Sequence, residues 1–281
     1  MGPSRTPLPG GRWHWAHGPI ELVIGADGNA AAAHEAAWAR FQSVLAELVA
    51  ELPLLRQPVR PGPCPLQGPV ARRMWAACAA LPTDFITPMA AVAGAVADEI
   101  LAFYARAGLP RAYVNNGGDI ALHLAPDAEW RVGLVADIAR QQPALDGRFV
   151  VRGTDAVRGI ATSGWRGRSH SLGIADAVTV LAATAAQADA AATVIANAVN
   201  VDDARIERAP ATQLRDDSDL GERLVTVQVP TLSAPQVHAA LRSGAGVARH
   251  LQEAGLIHAA VLCCQGQVHA LQPANPLPLA A

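Results

Sequence analysis

A chain of 281 residues with 51% hydrophobic residues, 16% charged residues and a formal net charge of -2 can bury a sizeable core, which rules out disorder as its overall state. With no cluster of basic side chains it offers no electrostatic footprint for nucleic acid. All 22 basic residues are arginine, so neither a Schiff-base lysine nor a phosphate-loop lysine is available.

Cys64, Cys78, Cys263 and Cys264 form neither a CxxC pair nor a metal-like cluster. Residues 1–11 lack the apolar run of a secretory signal, and Asp98, Glu99, Asp176 and Asp189 interrupt the longest alanine-rich stretches. The expectation is a cytoplasmic protein with no membrane partner.

In chain order, residues 13–27 alternate apolar and polar side chains around His17-Gly18-Pro19 and predict a hairpin. Ala37, Phe41, Val44, Leu45, Leu48 and Val49 recur at helical spacing and predict a helix over 31–52. Six prolines make 53–69 a connector. Helices follow at 70–81 and 89–106, the second ended by Gly108. Strands are expected at 111–115, 119–124, 130–136, 148–152, 157–162 and 177–182, and a helix at 183–199. Residues 204–215 read as charged loop, 224–229 as a strand, 235–254 as a helix, and 257–264 with 268–271 as a hairpin turning at Gln265-Gly266. Without a strict strand–helix–strand rhythm, the mixture favours an α+β fold over a doubly wound sheet. No internal repeat is evident.

Three segments carry chemistry. Asn115-Asn116-Gly117-Gly118-Asp119 lies between two strands; the glycines permit positive φ and close approach of a ligand, and Asp119 can accept hydrogen bonds from a ring or ribose. Asparagine-glycine is equally a turn signal, and spacing alone favours the turn. Thr162, Ser163 and Gly164, followed by Arg166, Arg168, Ser169 and His170, can surround phosphate oxygens and exchange a proton, or form an ordinary polar loop. Asp189, Thr193, Asn197 and Asn200 make one short polar stripe, on which Asp189 and Thr193, one turn apart, can offer two oxygens to Mg²⁺; a solvated helix face is the bland alternative. His14 and His17 fall on opposite strand faces, and Cys263-Cys264 reads as buried strand.

Taken in order, residues 91–98, 114–120, Thr162-Ser163-Gly164 with Ser169-His170, Asp176 to Val180, and 188–193 resemble the ApbE-like superfamily. Residues 87–94 and the block from Asp176 to Thr193 look like its uncharacterised cytoplasmic branch, with 85–200 the best-matched core of one domain over 1–281. The resemblance implies a mixed, mostly antiparallel sheet packed by helices. It also implies an FAD:protein FMN transferase-like site. In that site Asn116, Gly117, Gly118, Asp119, Thr162, Ser163, Gly164 and Asp176 hold FAD, Asp189 and Thr193 hold Mg²⁺, and His170 sits at the pyrophosphate as the catalytic group. A protein acceptor and a homodimer are the partners it suggests. The sequence departs from the family at Ala93, where lysine is usual; at 171–175, which replace an Asp-Pro-x-Thr-Gly segment; and at Asn116, usually small and apolar. These departures favour ligand and metal binding over transferase activity, and leave a catalytically silent accessory protein as the rival reading.

Overall fold

Strand pairing begins with β1 (Ser4–Leu8) against β2 (Arg12–His17), which turns through Gly18-Pro19 into β3 (Ile20–Ala26). The computed structural model describes residues 2–134, 147–167 and 169–272, so Arg168 and the end of the strand expected at 130–136 lie outside it. Alternation sends Trp15, Leu22 and Ile24 to one face, where all three are fully buried. The proline- and glycine-rich start hid β1, whose pairing is made through the backbone.

Helix α1 (Ala31–Ala50) buries Ala33, Ala37, Phe41, Val44 and Leu48 as a single stripe. Leu45 and Val49, expected on the same stripe, instead border a cavity. The proline-rich connector contains a short helix, α2 (Leu52–Leu55), before α3 (Pro69–Ala79). The helix expected at 89–106 is a 3-10 turn (Pro88–Ala91) followed by α4 (Val92–Arg106), after which Gly108 takes a left-handed φ of 66°. Pro88–Arg106 is long and apolar enough to cross a membrane, with a mean hydropathy of 1.3, contrary to the reading that no stretch qualified. Within this fold it packs between α1, α3, α5 and the sheet.

The chain continues through β4 (Arg111–Asn116), β5 (Asp119–Leu124), β6 (Glu129–Leu134), β7 (Gly147–Arg152), β8 (Gly159–Ser163) and β9 (Ala177–Ala182). Helix α5 (Ala185–Ala198) is built mainly from alanine, seven of which are buried together with Ile195. Residues 204–215 are not simply loop: β10 (Glu207–Pro210) and α6 (Ala211–Leu214) lie there, and β10 pairs with β11 (Leu224–Gln228) apart from the main sheet. Helix α7 (Ala234–Glu253) and the hairpin β12 (Ala259–Cys264) and β13 (Gln267–Leu271) follow.

Nine strands form one antiparallel sheet in the order β1-β2-β3-β4-β5-β8-β9-β12-β13. Helices α1, α3, α4, α5 and α7 join one face of it in the main core. The β6–β7 hairpin covers part of the other face over Leu122, Ile160 and Leu181. The fold is therefore α+β, as the mixture of patterns requires.

Candidate functional site

Two glycines bring α5 close to its neighbours. A Cβ on Gly94 would lie 2.3 Å from the Ala185 carbonyl oxygen, and one on Gly159 would lie 2.0 Å from that of Thr184, so neither position has room for a side chain. At this contact α4 and α5 cap each other. Asp98 of α4 accepts the Ala185 and Ala186 N–H groups at 3.1 and 3.0 Å, while Asp189 of α5 accepts the Gly94 N–H at 3.0 Å. Each carboxylate thus satisfies otherwise orphaned donors in the other helix's first turn, where the helix dipole favours negative charge.

The capping places Asp189 opposite the β4–β5 turn. Gly117 and Gly118 have φ of 67° and 115°, and the Asn115 carboxamide oxygen accepts the Gly118 N–H at 2.8 Å, so the segment is a tight hairpin turn. Just beyond it Asp119 accepts the Thr162 N–H at 3.3 Å and shares a cavity with Asp189. Burial pushes the Asp119 carboxyl up to about 7. Burial and the like charge of Asp119 push Asp189 well above the usual carboxylate range. Neither carboxylate has an ion-pair partner among the described residues.

The cavity has a volume of about 560 Å³, and Asn116, Asp119, His170, Asp189, Thr193 and Asn197 line its polar part. Leu45, Leu48, Val49 and Met89 give it an apolar wall. Five of the eleven expected site residues therefore converge on one cavity. Gly117 and Gly118 form the turn behind it. Thr162 bonds Thr179 across β8 and β9 at 2.9 Å, and Ser163 ends β8. Gly164 packs under the Asp176 carbonyl, where a Cβ would lie 2.4 Å away. Asp176 pairs with Arg166 at 2.8 Å and accepts the Gln265 N–H. These four do not line the cavity. His14 bonds Glu21 and His17 meets the Phe41 ring edge-on, on opposite faces as expected.

Two of the departures touch each other. Asn116, only 8% exposed, donates from Nδ2 to the Ala93 carbonyl at 3.1 Å. An amide thus ties the α4 start to the turn strand on the cavity that Asp119 and Asp189 also line. Chain pattern gave no warning of the cavity's outer wall, residues 215–220, which hydrogen-bond among themselves. Arg56 pairs with Asp217 at 2.6 Å, Thr87 donates its hydroxyl to Asp219, and Arg223 stacks 3.3 Å over the Phe85 ring. Among the described residues no group of three or more His, Cys, Asp or Glu side chains is arranged to enclose a metal ion. The oxygens on hand for a hard cation are those of the Asp119 and Asp189 carboxylates and the Thr193 hydroxyl, with other ligands left to substrate and water.

A profile of the family described as AbpE bacteria matches residues 5–270. The chain is 40% identical over 148 residues to a UPF0280 protein of Methanopyrus kandleri, covering 51% of this chain and 56% of that one. It is 36% identical over 161 residues to a UPF0280 protein of Methanothrix thermoacetophila, covering 56% and 65%. The match thus spans less than two thirds of either relative's length. The flavin transferase ApbE of Vibrio cholerae superposes with a TM-score of 0.50 at 12% identity, over 96% of this chain and 97% of that one, and shares the fold. With nearly its whole length matched by the profile, the chain belongs to the AbpE bacteria family, the ApbE-like group its motifs resemble.

Proposed function

We propose that the cavity binds a flavin nucleotide together with one divalent cation, at Asp119, Asp189 and Thr193. The observation that carries this reading is the pair of half-buried carboxylates without ion-pair partners, both opening onto one cavity. Two such groups stay protonated or recruit a cation, because like charges in a desolvated site repel each other. The donor set fits a hard cation: two carboxylate oxygens and the Thr193 hydroxyl one turn along α5. When bound, the cation neutralises charge on a pyrophosphate and so favours cleavage of a P–O bond. Asp189 contributes its position, held by the Gly94 N–H; Leu45, Val49 and Met89 exclude water beside a flat apolar ring; and His170, on the same cavity, is placed to take the proton of an incoming hydroxyl.

In that reaction the bond from the FMN phosphorus to the bridging oxygen breaks, AMP leaves with that oxygen, and the FMN phosphorus joins the oxygen of water or of a protein serine or threonine, whose proton passes to His170. The Asn116–Ala93 bond favours a second reading, a binding protein without turnover, because a neutral amide occupies the place next to the acid pair. Incubation with FAD and Mg²⁺ separates the two: release of AMP and FMN supports turnover, and binding without release supports the second. Asp189→Asn keeps an acceptor for Gly94 but removes the charge, and is expected to abolish Mg²⁺-dependent thermal stabilisation by FAD. An unchanged Mg²⁺ titration in that variant overturns the cation assignment.

A further inference from the structure

Asn197, two turns beyond Asp189 on α5, lines the same cavity as the acid pair. Its Oδ1 accepts two hydrogen bonds from the segment that follows His170: the Ser171 hydroxyl at 3.1 Å and the Leu172 N–H at 2.9 Å. Ser171 is 2% exposed, and its hydroxyl also accepts the Gly173 N–H at 3.2 Å, so this segment is a buried, bonded unit. A carboxamide is planar, with oxygen and nitrogen on opposite branches. With both lone pairs of Oδ1 occupied on the loop side, Nδ2 and its two N–H groups are turned away from the loop. Among the described residues nothing else bonds to that nitrogen.

We infer that Asn197 is a ligand-binding residue whose Nδ2 donates a hydrogen bond to an acceptor oxygen of the bound molecule, a phosphate oxygen or a ring carbonyl, at the end of the cavity beside His170. The inference rests on the flavin-nucleotide reading and adds an amide donor, beside His170, to a cavity whose acid pair is Asp119 and Asp189. An amide meets both demands at this position, since it accepts from the loop with one branch and donates to the ligand with the other. A carboxylate would satisfy the loop equally well and present an acceptor to the ligand. That asymmetry separates a ligand-reading role from a purely structural one.

The test compares the parent with Asn197→Asp and Asn197→Ala by calorimetric titration with FAD, ADP and riboflavin, each with Mg²⁺, alongside thermal unfolding and a titration with Mg²⁺ alone. The aspartate variant is expected to keep the parent's unfolding temperature within a few degrees and its Mg²⁺ response, yet to bind FAD at least tenfold more weakly, the scale of a lost hydrogen bond to a charged or polar acceptor. Loss shared by riboflavin assigns the donor to the ring or its side chain; loss confined to FAD and ADP assigns it to phosphate. Equal FAD affinity in the parent and the aspartate variant, with only the alanine variant unfolding earlier, overturns the inference and leaves Asn197 as a loop anchor. A parent that binds none of the three molecules overturns the flavin-nucleotide reading and this inference together.

Discussion

Two clusters of enclosed charge sit on either side of helix α4, and they are arranged oppositely. Toward α1 and α3, Glu99 meets Arg40 at 2.8 Å and Arg73 at 2.9 Å, and Arg40 also holds Glu47 at 2.5 Å. Burial raises the Glu99 carboxyl, but the two arginines outweigh it and hold the group below its ordinary range. Toward α5, on the neighbouring residue, Asp98 hydrogen-bonds only to backbone N–H groups, and beyond it Asp189 and Asp119 face each other with no basic side chain paired to either among the described residues. The first cluster is complete within the chain and can serve as structure. The second has no basic partner among the described residues, an arrangement found more at functional sites than in structural networks.

The comparison can be broken hardest at the contact that separates the clusters. Gly94→Ala forces a methyl into the α5 backbone and is expected to cost about 3 kcal/mol or more, lowering the melting temperature by about 2–4 °C per kcal/mol. Calorimetry of the purified variant checks it, and unchanged melting would show that α4 and α5 can part freely. Next, Arg40→Ala leaves Glu99 and Glu47 short of a partner in a mostly enclosed network and is expected to cost about 2 kcal/mol. Denaturant unfolding would show it as a lowered midpoint with an unchanged slope.

The opposite sign is expected at the acid pair. Folding raises the Asp119 carboxyl to about 7, so its favourable contribution is fully present below about pH 4, the unfolded value. That contribution is lost as pH rises toward 7. Asp119→Asn retains an acceptor for the Thr162 N–H and cannot ionise. In the absence of ligand it is therefore expected to be more stable than the parent at pH 8, by about 1 kcal/mol or more and with a higher melting temperature, and to differ little from it at pH 4. A gain equal at both pH values would mean that Asp119 carries no unusual proton affinity.

The two clusters also differ in what the sequence disclosed. Strands β4 and β9 and helix α1 were legible because their burial patterns follow simple rules: β4 alternates, α1 buries one stripe, and Ala177–Ala182 is buried at every position and reads as a continuous apolar run. The α+β class followed from the same patterns. The stripe Asp189, Thr193 and Asn197 was visible as short polar side chains on a helix that is otherwise small and apolar, and the three do share a cavity. Asn200 does not join them; it accepts from Arg208 at 2.8 Å and from the Val201 N–H.

Hidden from the sequence were the groups that act across long separations. Asp98 reads as a charge interrupting an apolar helix, and only the crossing of α4 over α5 makes it a cap. Thr87 and Asp219 are 132 residues apart in the chain and meet through one hydroxyl. Strand β10 and helix α6 escaped because their stretch is short and charged, and β10 is held mainly by backbone pairing with β11. Neither hydrophobic period nor turn chemistry signals such contacts.

The nine-stranded sheet is ordered without a single backward step in sequence, each strand joining one already laid down. A chain emerging from the ribosome can therefore extend the sheet from one edge as synthesis proceeds, with no strand inserted between two older ones. Asp119 is in place on that growing edge well before α5 has been made. The repulsion between the two acids begins only when α5 docks, after β9 has given it a surface. Vectorial synthesis thus postpones the contact between the two acids until the strands from β1 to β9 are in place to hold it.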